Sequence, residues 1–152
     1  MLLTRAENDK AIETTEYAIS LNDKYYEGYC RLAQFYMYLR DEEASVEPLR
    51  ACIDLGGATS INSVQFLSSA ITNLVDGRDF DRALKFALRL TNMYPKDADV
   101  LLNTAKIYFI MGEGDLAEEY ISRATEIDPK VLEEWEMFLD FLLSIEGQEL
   151  QS

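Results

Sequence analysis

Apolar residues recur along most of the chain at intervals of three and four residues, the spacing that predicts amphipathic helices. Between residues 98 and 129 two such runs are separated by a turn that contains Gly112, and Asp128-Pro129 follows the second run. Proline disfavours the helical conformation of the residue before it, so Asp-Pro predicts the end of a helix. This segment is therefore predicted to form two helices joined by a tight turn.

The same layout recurs along the chain with a fixed period. Small residues early in the second run are spaced by 34, 38 and 34 residues, at Ala11, Ser45, Ala83 and Ala117. Large residues in the first run are spaced by 38, 34 and 34 residues, at Tyr29, Leu67, Leu101 and Trp135. The longer interval predicts a four-residue insertion near residues 58–62. Because the small and the large residues share one period, the sequence predicts a single repeat domain over residues 1–152.

The repeated positions resemble the tetratricopeptide repeat, whose 34-residue unit is a helix–turn–helix. Matching residues include the tyrosines Tyr36 and Tyr108 and the closing prolines Pro95 and Pro129. The resemblance implies an all-α fold, an α-solenoid with a right-handed superhelix and about seven to eight helices. Its units are half a repeat at 8–25, repeats at 26–59, 64–97 and 98–131, and a terminal helix at 132–147.

Pro48 falls within the predicted second helix of the 26–59 repeat. A proline inside a helix removes a hydrogen bond and clashes with the preceding turn. We therefore expect this helix either to start late, with Ser45 as its N-cap and Pro48 in the first turn, or to be kinked.

The resemblance also implies a function, the binding of a protein or peptide in a concave groove lined by the first helices of the repeats. By register the groove residues are Arg31, Gln34, Tyr38, Gln65, Ser69, Thr72, Asn103, Lys106, Phe109, Glu133, Glu136 and Asp140, and Glu27, Cys30 and Met37 share the same face. One branch of the family holds the C-terminal carboxylates of chaperones with Lys, Asn and Arg residues. Only Asn103 and Lys106 match that pattern, so such tails are disfavoured.

The mixture of aromatic and amide side chains favours a peptide with a few apolar anchors and a basic end beside the acidic residues of the terminal helix. A structural explanation competes with this one. Tyr38 and Phe109 would then be buried beneath adjacent hairpins, and Glu133, Glu136 and Asp140 would form a solvated helix face.

The terminal helix is apolar on nearly every side. We expect Trp135, Phe138, Leu139 and Leu142 to pack on the preceding hairpin, which leaves Met137, Phe141 and Leu143 without a contact. Two explanations remain open. Either this helix meets a partner or a second copy, forming a homodimer, or the native chain continues past Ser152.

The chain has 14 basic and 28 acidic residues and a formal net charge of −14. This charge disfavours nucleic acid and anionic membrane surfaces as partners and favours a basic protein or peptide. No apolar stretch approaches the roughly 20 residues of a membrane span, and the N-terminus lacks a secretory signal pattern. The predicted location is cytoplasmic, for a chain that could be a fragment of a larger protein.

The chain contains no histidine and two cysteines, Cys30 and Cys52. Catalysis by imidazole is therefore excluded, and no metal-ligand spacing, phosphate loop or nucleophile–base pair predicts an enzyme or a cofactor. The two cysteines lie on neighbouring predicted helices, so a disulfide is open to them, but free buried thiols in a reducing compartment are favoured. The sequence thus predicts a non-catalytic adaptor or scaffold, with a small dedicated chaperone as the alternative.

Overall fold

The computed structural model of the protein describes residues 4–56, 61 and 63–151, with side chains described as far as Ile145. These residues form eight α-helices and no β-strand: α1 (Arg5–Leu21), α2 (Tyr26–Tyr38), α3 (Glu42–Asp54), α4 (Val64–Asp76), α5 (Phe80–Met93), α6 (Ala98–Ile110), α7 (Gly114–Ile127) and α8 (Val131–Gln151). The predicted all-α composition is confirmed. The predicted insertion at 58–62 lies outside the described residues, except for Ile61.

The helices group into two compact units, Met1–Phe86 and Ala87–Ser152, whose boundary falls within α5. The N-terminal unit contains α1–α4 and the first half of α5. The C-terminal unit contains the second half of α5 and α6–α8. The organisation as one domain, with a right-handed superhelix, stays a prediction.

Three turns between paired helices share one backbone geometry. The second residue after the first helix has a positive φ in each turn, 59° at Arg40, 58° at Arg78 and 84° at Gly112. The next backbone N–H then donates to a carbonyl in the last turn of that helix, a hydrogen-bond pattern that satisfies the helix end. These bonds join Asp41 to Tyr36, Asp79 to Leu74 and Glu113 to Tyr108, with N···O distances of 2.9, 2.8 and 2.9 Å.

The predicted late start of α3 is wrong. The helix begins at Glu42 because the carboxylate of Asp41 accepts a hydrogen bond from the backbone N–H of Ala44, at 3.1 Å, and so caps the helix. The Ser45 hydroxyl donates instead to the carbonyl of Glu42, at 2.7 Å. Pro48 therefore lies inside α3, beyond its first turn, where it has no N–H to donate to the carbonyl of Ala44.

The core of the N-terminal unit consists mainly of side chains from α2 to α5, with Ile12 from α1. Buried apolar residues include Leu32, Ala33, Leu49, Cys52, Ile53, Phe66, Leu67, Ala70, Leu74, Ala83 and Phe86. Ion pairs at the edge of this core join α3 to the residues around the start of α5, with Arg50 and Arg82 both contacting Asp79, at 3.1 and 2.9 Å. Arg82 also hydrogen-bonds to Asp54, which lowers the pKa of that carboxyl.

The core of the C-terminal unit lies between α6, α7 and the start of α8. Its buried members are Leu101, Leu102, Ala105, Ile121, Ala124 and Val131, with Ala98, Tyr120 and Trp135 packed against them. Tyr108 lies beside Tyr120, with 5.3 Å between ring centroids. Burial and this neighbour raise the pKa of Tyr108.

The side chain of Ala117 is 1% exposed, so α7 lies close to its neighbouring helices at this residue. Replacing Ala117 by phenylalanine is expected to overpack this contact and to lower the free energy of unfolding by about 1–3 kcal/mol. The measurement is the melting temperature by circular dichroism. Glu118→Phe, at the exposed next position, is the matched control, and an equal effect of the two changes would contradict the assigned contact.

Candidate functional site

A cavity of about 230 Å³ lies in the N-terminal unit, between α2 and the start of α4. It is lined by Glu27, Cys30, Arg31, Gln34, Ile61, Ser63 and Phe66. Four of these residues belong to the α2 face that the repeat register predicted to line a groove. The structure thus brings the predicted residues of α2 together around a concave surface.

The remaining lining residues were missed by the sequence analysis. Ile61 lies within the predicted insertion at 58–62 and Ser63 directly after it, so the period places neither of them. Phe66 lies within the predicted repeat 64–97 but was not assigned to the groove. Ser63 caps α4, because its hydroxyl accepts a hydrogen bond from the N–H of Phe66 at 3.2 Å. A serine immediately before an apolar helical run is an N-cap signal that could have assigned this role to Ser63.

Cys30 and Cys52 form a disulfide, with their Cα atoms 4.8 Å apart. The expectation of free thiols is therefore wrong. Cys30 is half-buried on the face of α2 that lines the cavity, whereas Cys52 is fully buried on α3. The bond holds the two helices of one hairpin together beside the cavity, because their pairing brings the two side chains opposite each other.

The other predicted groove residues of the N-terminal unit are at its surface. Tyr38, in the last turn of α2, is 52% exposed, so it is not buried beneath a neighbouring hairpin. Gln65, Ser69 and Thr72 are exposed along one side of α4. The Thr72 hydroxyl already donates to the carbonyl of Ser68, at 3.1 Å, which leaves its acceptor capacity for a ligand.

In the C-terminal unit the predicted residues of α6 meet aromatic residues of α8. The ring of Phe109 lies 5.6 Å from that of Trp135 and 6.1 Å from that of Phe138. We call Phe109, Trp135 and Phe138 the aromatic cluster. The ammonium of Lys106 lies 5.6 Å from the centre of the Phe138 ring, within the range of a cation–π interaction. Asn103 is exposed on the same helix.

Three predicted acidic residues, Glu133, Glu136 and Asp140, are exposed on α8. Since an α-helix has 3.6 residues per turn, their spacing places them on one side of the helix. We call them the acidic row. As expected, Trp135 and Phe138 are part of the packed side of α8, together with Leu139 and Leu142, which are half-buried.

The three residues predicted for self-association, Met137, Phe141 and Leu143, are 70%, 62% and 65% exposed. Helical geometry places Met137 and Phe141 on one side of the acidic row and Leu143 on the other, near Leu132. The three residues therefore do not form one continuous apolar surface on α8. Self-association through them stays a prediction.

Within the described part of the chain, no three His, Cys, Asp or Glu residues are grouped as metal ligands. In the same residues no helix is both long and apolar enough to cross a membrane.

The family model of the tetratricopeptide repeat matches residues 26–55 and 98–131. The chain contains two tetratricopeptide repeats at these positions. The two matched segments contain the helix pairs α2–α3 and α6–α7, and they start at the same residues as two of the predicted repeats. The cavity-lining face of α2 and the cluster-forming face of α6 thus lie on the first helices of matched tetratricopeptide repeats.

The chain is also similar to solved structures of MamA. A crystal structure of MamA is 18% identical, with a TM-score of 0.50 over 85% of this chain and 77% of that chain. A structure of MamA from AMB-1 is 17% identical, with a TM-score of 0.51 over 80% of this chain and 64% of that chain. At this identity the similarity shows the fold alone. The predicted fold class, an all-α helical-repeat fold of the tetratricopeptide type, is confirmed. None of the curated proteins matches the chain.

Proposed function

We propose that this protein is a non-catalytic adaptor that binds a segment of another protein along the first helices of its repeats. The observation that carries the proposal is the cavity beside α2. Four residues that the repeat register assigned to a groove, Glu27, Cys30, Arg31 and Gln34, line it together. Concave surfaces with a few polar groups on apolar walls are where proteins bind ligands.

The chemistry of these faces suits a peptide. The amides of Gln34, Gln65 and Asn103 can both donate and accept hydrogen bonds, as the N–H and C=O groups of a peptide backbone require. Tyr38 and Phe109, exposed in part, offer apolar contacts for side chains. The exposed acidic row on α8 favours a bound segment with a basic end.

The same observations support binding rather than catalysis. Tetratricopeptide repeats generally serve to bind other proteins, and the acidic row is exposed on a helix surface. Nothing in the described residues favours a dedicated chaperone over an adaptor, and that alternative stays a prediction. The cytoplasmic location also stays a prediction. The Cys30–Cys52 disulfide does not support it, because such bonds are more typical of oxidising compartments.

Peptides selected from a random phage-displayed library on the immobilised protein test the proposal. We expect the double variant Arg31→Ala, Asn103→Ala to bind a selected peptide at least tenfold more weakly, a loss of about 1.4 kcal/mol, because both residues are exposed on first helices. The measurement is the dissociation constant by fluorescence anisotropy.

The matched control is the double variant Glu43→Ala, Glu118→Ala, whose exposed side chains lie on the second helices α3 and α7. Both variants are first checked for unchanged helix content. If the control weakens binding and the first-helix variant does not, the bound segment lies on the second helices and the proposal is wrong.

A further inference from the structure

An apolar surface in the C-terminal unit continues from α6 onto α8. Met137 and Phe141, one helical turn apart, are 70% and 62% exposed. Phe138, one turn before Phe141 on α8, contacts Phe109, whose side chain is 38% exposed, across a centroid distance of 6.1 Å. We call Met137, Phe141, Phe138 and Phe109 the apolar stripe. Exposed contiguous apolar surface of this kind marks an interaction site.

The charge along one edge of the stripe has a single sign. Met137 lies four residues after Glu133 and three before Asp140, so the acidic row runs directly beside it. The sequence of α8 contains six acidic residues and no basic one. Glu134, exposed one turn before Met137 and Phe138, adds a carboxylate within the stripe. On the Phe138 side the ammonium of Lys106 lies over the aromatic ring. The edge formed by the acidic row is thus the one whose charge has a single sign.

A second copy of the chain is a poor match for this surface. Antiparallel packing of two α8 helices through their stripes would put the acidic rows side by side, and parallel packing would put Glu134 of each copy near that of the other. Like charges repel in both arrangements. A partner helix with basic residues beside its apolar face can pack on the apolar stripe and form ion pairs with the acidic row. The spacing of Met137 and Phe141 also fits the apolar anchors of a helix, which recur every three or four residues.

We propose that the apolar stripe docks an amphipathic helix of a partner protein whose apolar face has lysine or arginine along one edge. That basic edge lies against Glu133, Glu136 and Asp140. This inference rests on the proposed function as a protein-binding module and names the kind of segment that α8 receives.

The probe is a synthetic 18-residue amphipathic helix with leucine on one face and lysine on the other, and its matched control has glutamate in place of each lysine. Binding is measured by fluorescence anisotropy. We expect the lysine peptide to bind at least tenfold more tightly than the glutamate peptide, with an affinity that falls as salt concentration rises. Absence of binding of the lysine peptide would overturn the inference.

Two pairs of variants separate the stripe from general attraction to an acidic protein. Met137→Ser, Phe141→Ser is expected to weaken binding at least tenfold, whereas Tyr17→Ser, Leu21→Ser is expected to leave it unchanged. The second pair has the same spacing on α1 and similar exposure, 66% and 71%. Equal losses in the two variants would overturn the inference.

The charge is tested in the same way with two triple variants of equal net charge. Glu133→Gln, Glu136→Gln, Asp140→Asn should weaken binding about tenfold and flatten its salt dependence. Asp115→Asn, Glu118→Gln, Glu119→Gln, at exposed positions of α7, should change neither by more than twofold. Equal effects of the two triple variants would show that only the net charge matters.

The alternative, in which a second copy of the chain covers the stripe, is tested by measuring the mass of the parent protein by light scattering. We expect a monomer. A parent dimer that Met137→Ser, Phe141→Ser converts to a monomer would mean that a second copy covers the stripe, and would overturn the inference. The proposed function has its own readout, the selected peptide and the Arg31→Ala, Asn103→Ala variant, so the two can fail separately.

Discussion

Replacing Phe86 by alanine is expected to lower the free energy of unfolding by about 3–5 kcal/mol. The Phe86 side chain is fully buried, and its ring packs edge to face on that of Phe66, with 6.1 Å between the centroids. The substitution removes this contact, which joins α4 to α5, and leaves a cavity that the neighbouring residues fill only in part. Urea unfolding followed by circular dichroism measures the loss.

Lys85→Ala, at the exposed position beside Phe86 on α5, is the control for this experiment. It is expected to change the free energy of unfolding by less than about 0.5 kcal/mol. A loss below about 1 kcal/mol for Phe86→Ala would contradict the packing of α5 on α4, because replacing a buried phenylalanine by alanine typically costs about 3–5 kcal/mol.

Reducing the Cys30–Cys52 disulfide is expected to cost about 3 kcal/mol of stability. The two cysteines are separated by 22 residues, and a link across a loop of that length restricts the unfolded chain. Addition of a reductant should therefore lower the melting temperature of the oxidised protein by several degrees.

The double variant Cys30→Ser, Cys52→Ser is the control, because its melting temperature should not respond to the reductant. Mass spectrometry after alkylation of the native protein counts free thiols. Two alkylated cysteines in protein isolated without reductant would contradict the bond. The same assay on intact cells would show whether the compartment of the protein maintains the disulfide.

The helical hairpins could be predicted from the sequence because the signals for them are local. Apolar periodicity and the closing Asp-Pro positions depend on residues within a few turns of each other. The start of α3 could not be predicted in this way, because Asp41 and Ser45 are both suitable N-caps. Ser45 is fully buried, so its side chain belongs to the packed face of α3, and the choice between the two caps depends on tertiary packing.

The surfaces were predictable in part for the same reason. The register identified the face of α2 that lines the cavity, since residues three and four apart share a side of a helix. It did not show that Cys30 and Cys52 meet, because that depends on how two helices are rotated against each other. Which side of α8 stays exposed depends on how α8 is rotated against α6 and α7, and this rotation is set by tertiary packing.

The shared geometry of the three turns has a consequence for how the chain folds. Each turn is closed by a backbone bond between residues only five positions apart, such as Asp41 and Tyr36. Paired helices such as α2 and α3 therefore meet without the entropic cost of closing a long loop. Native contacts between neighbours in sequence favour fast folding. We expect each hairpin to form early and to serve as the surface on which the next part of the chain condenses.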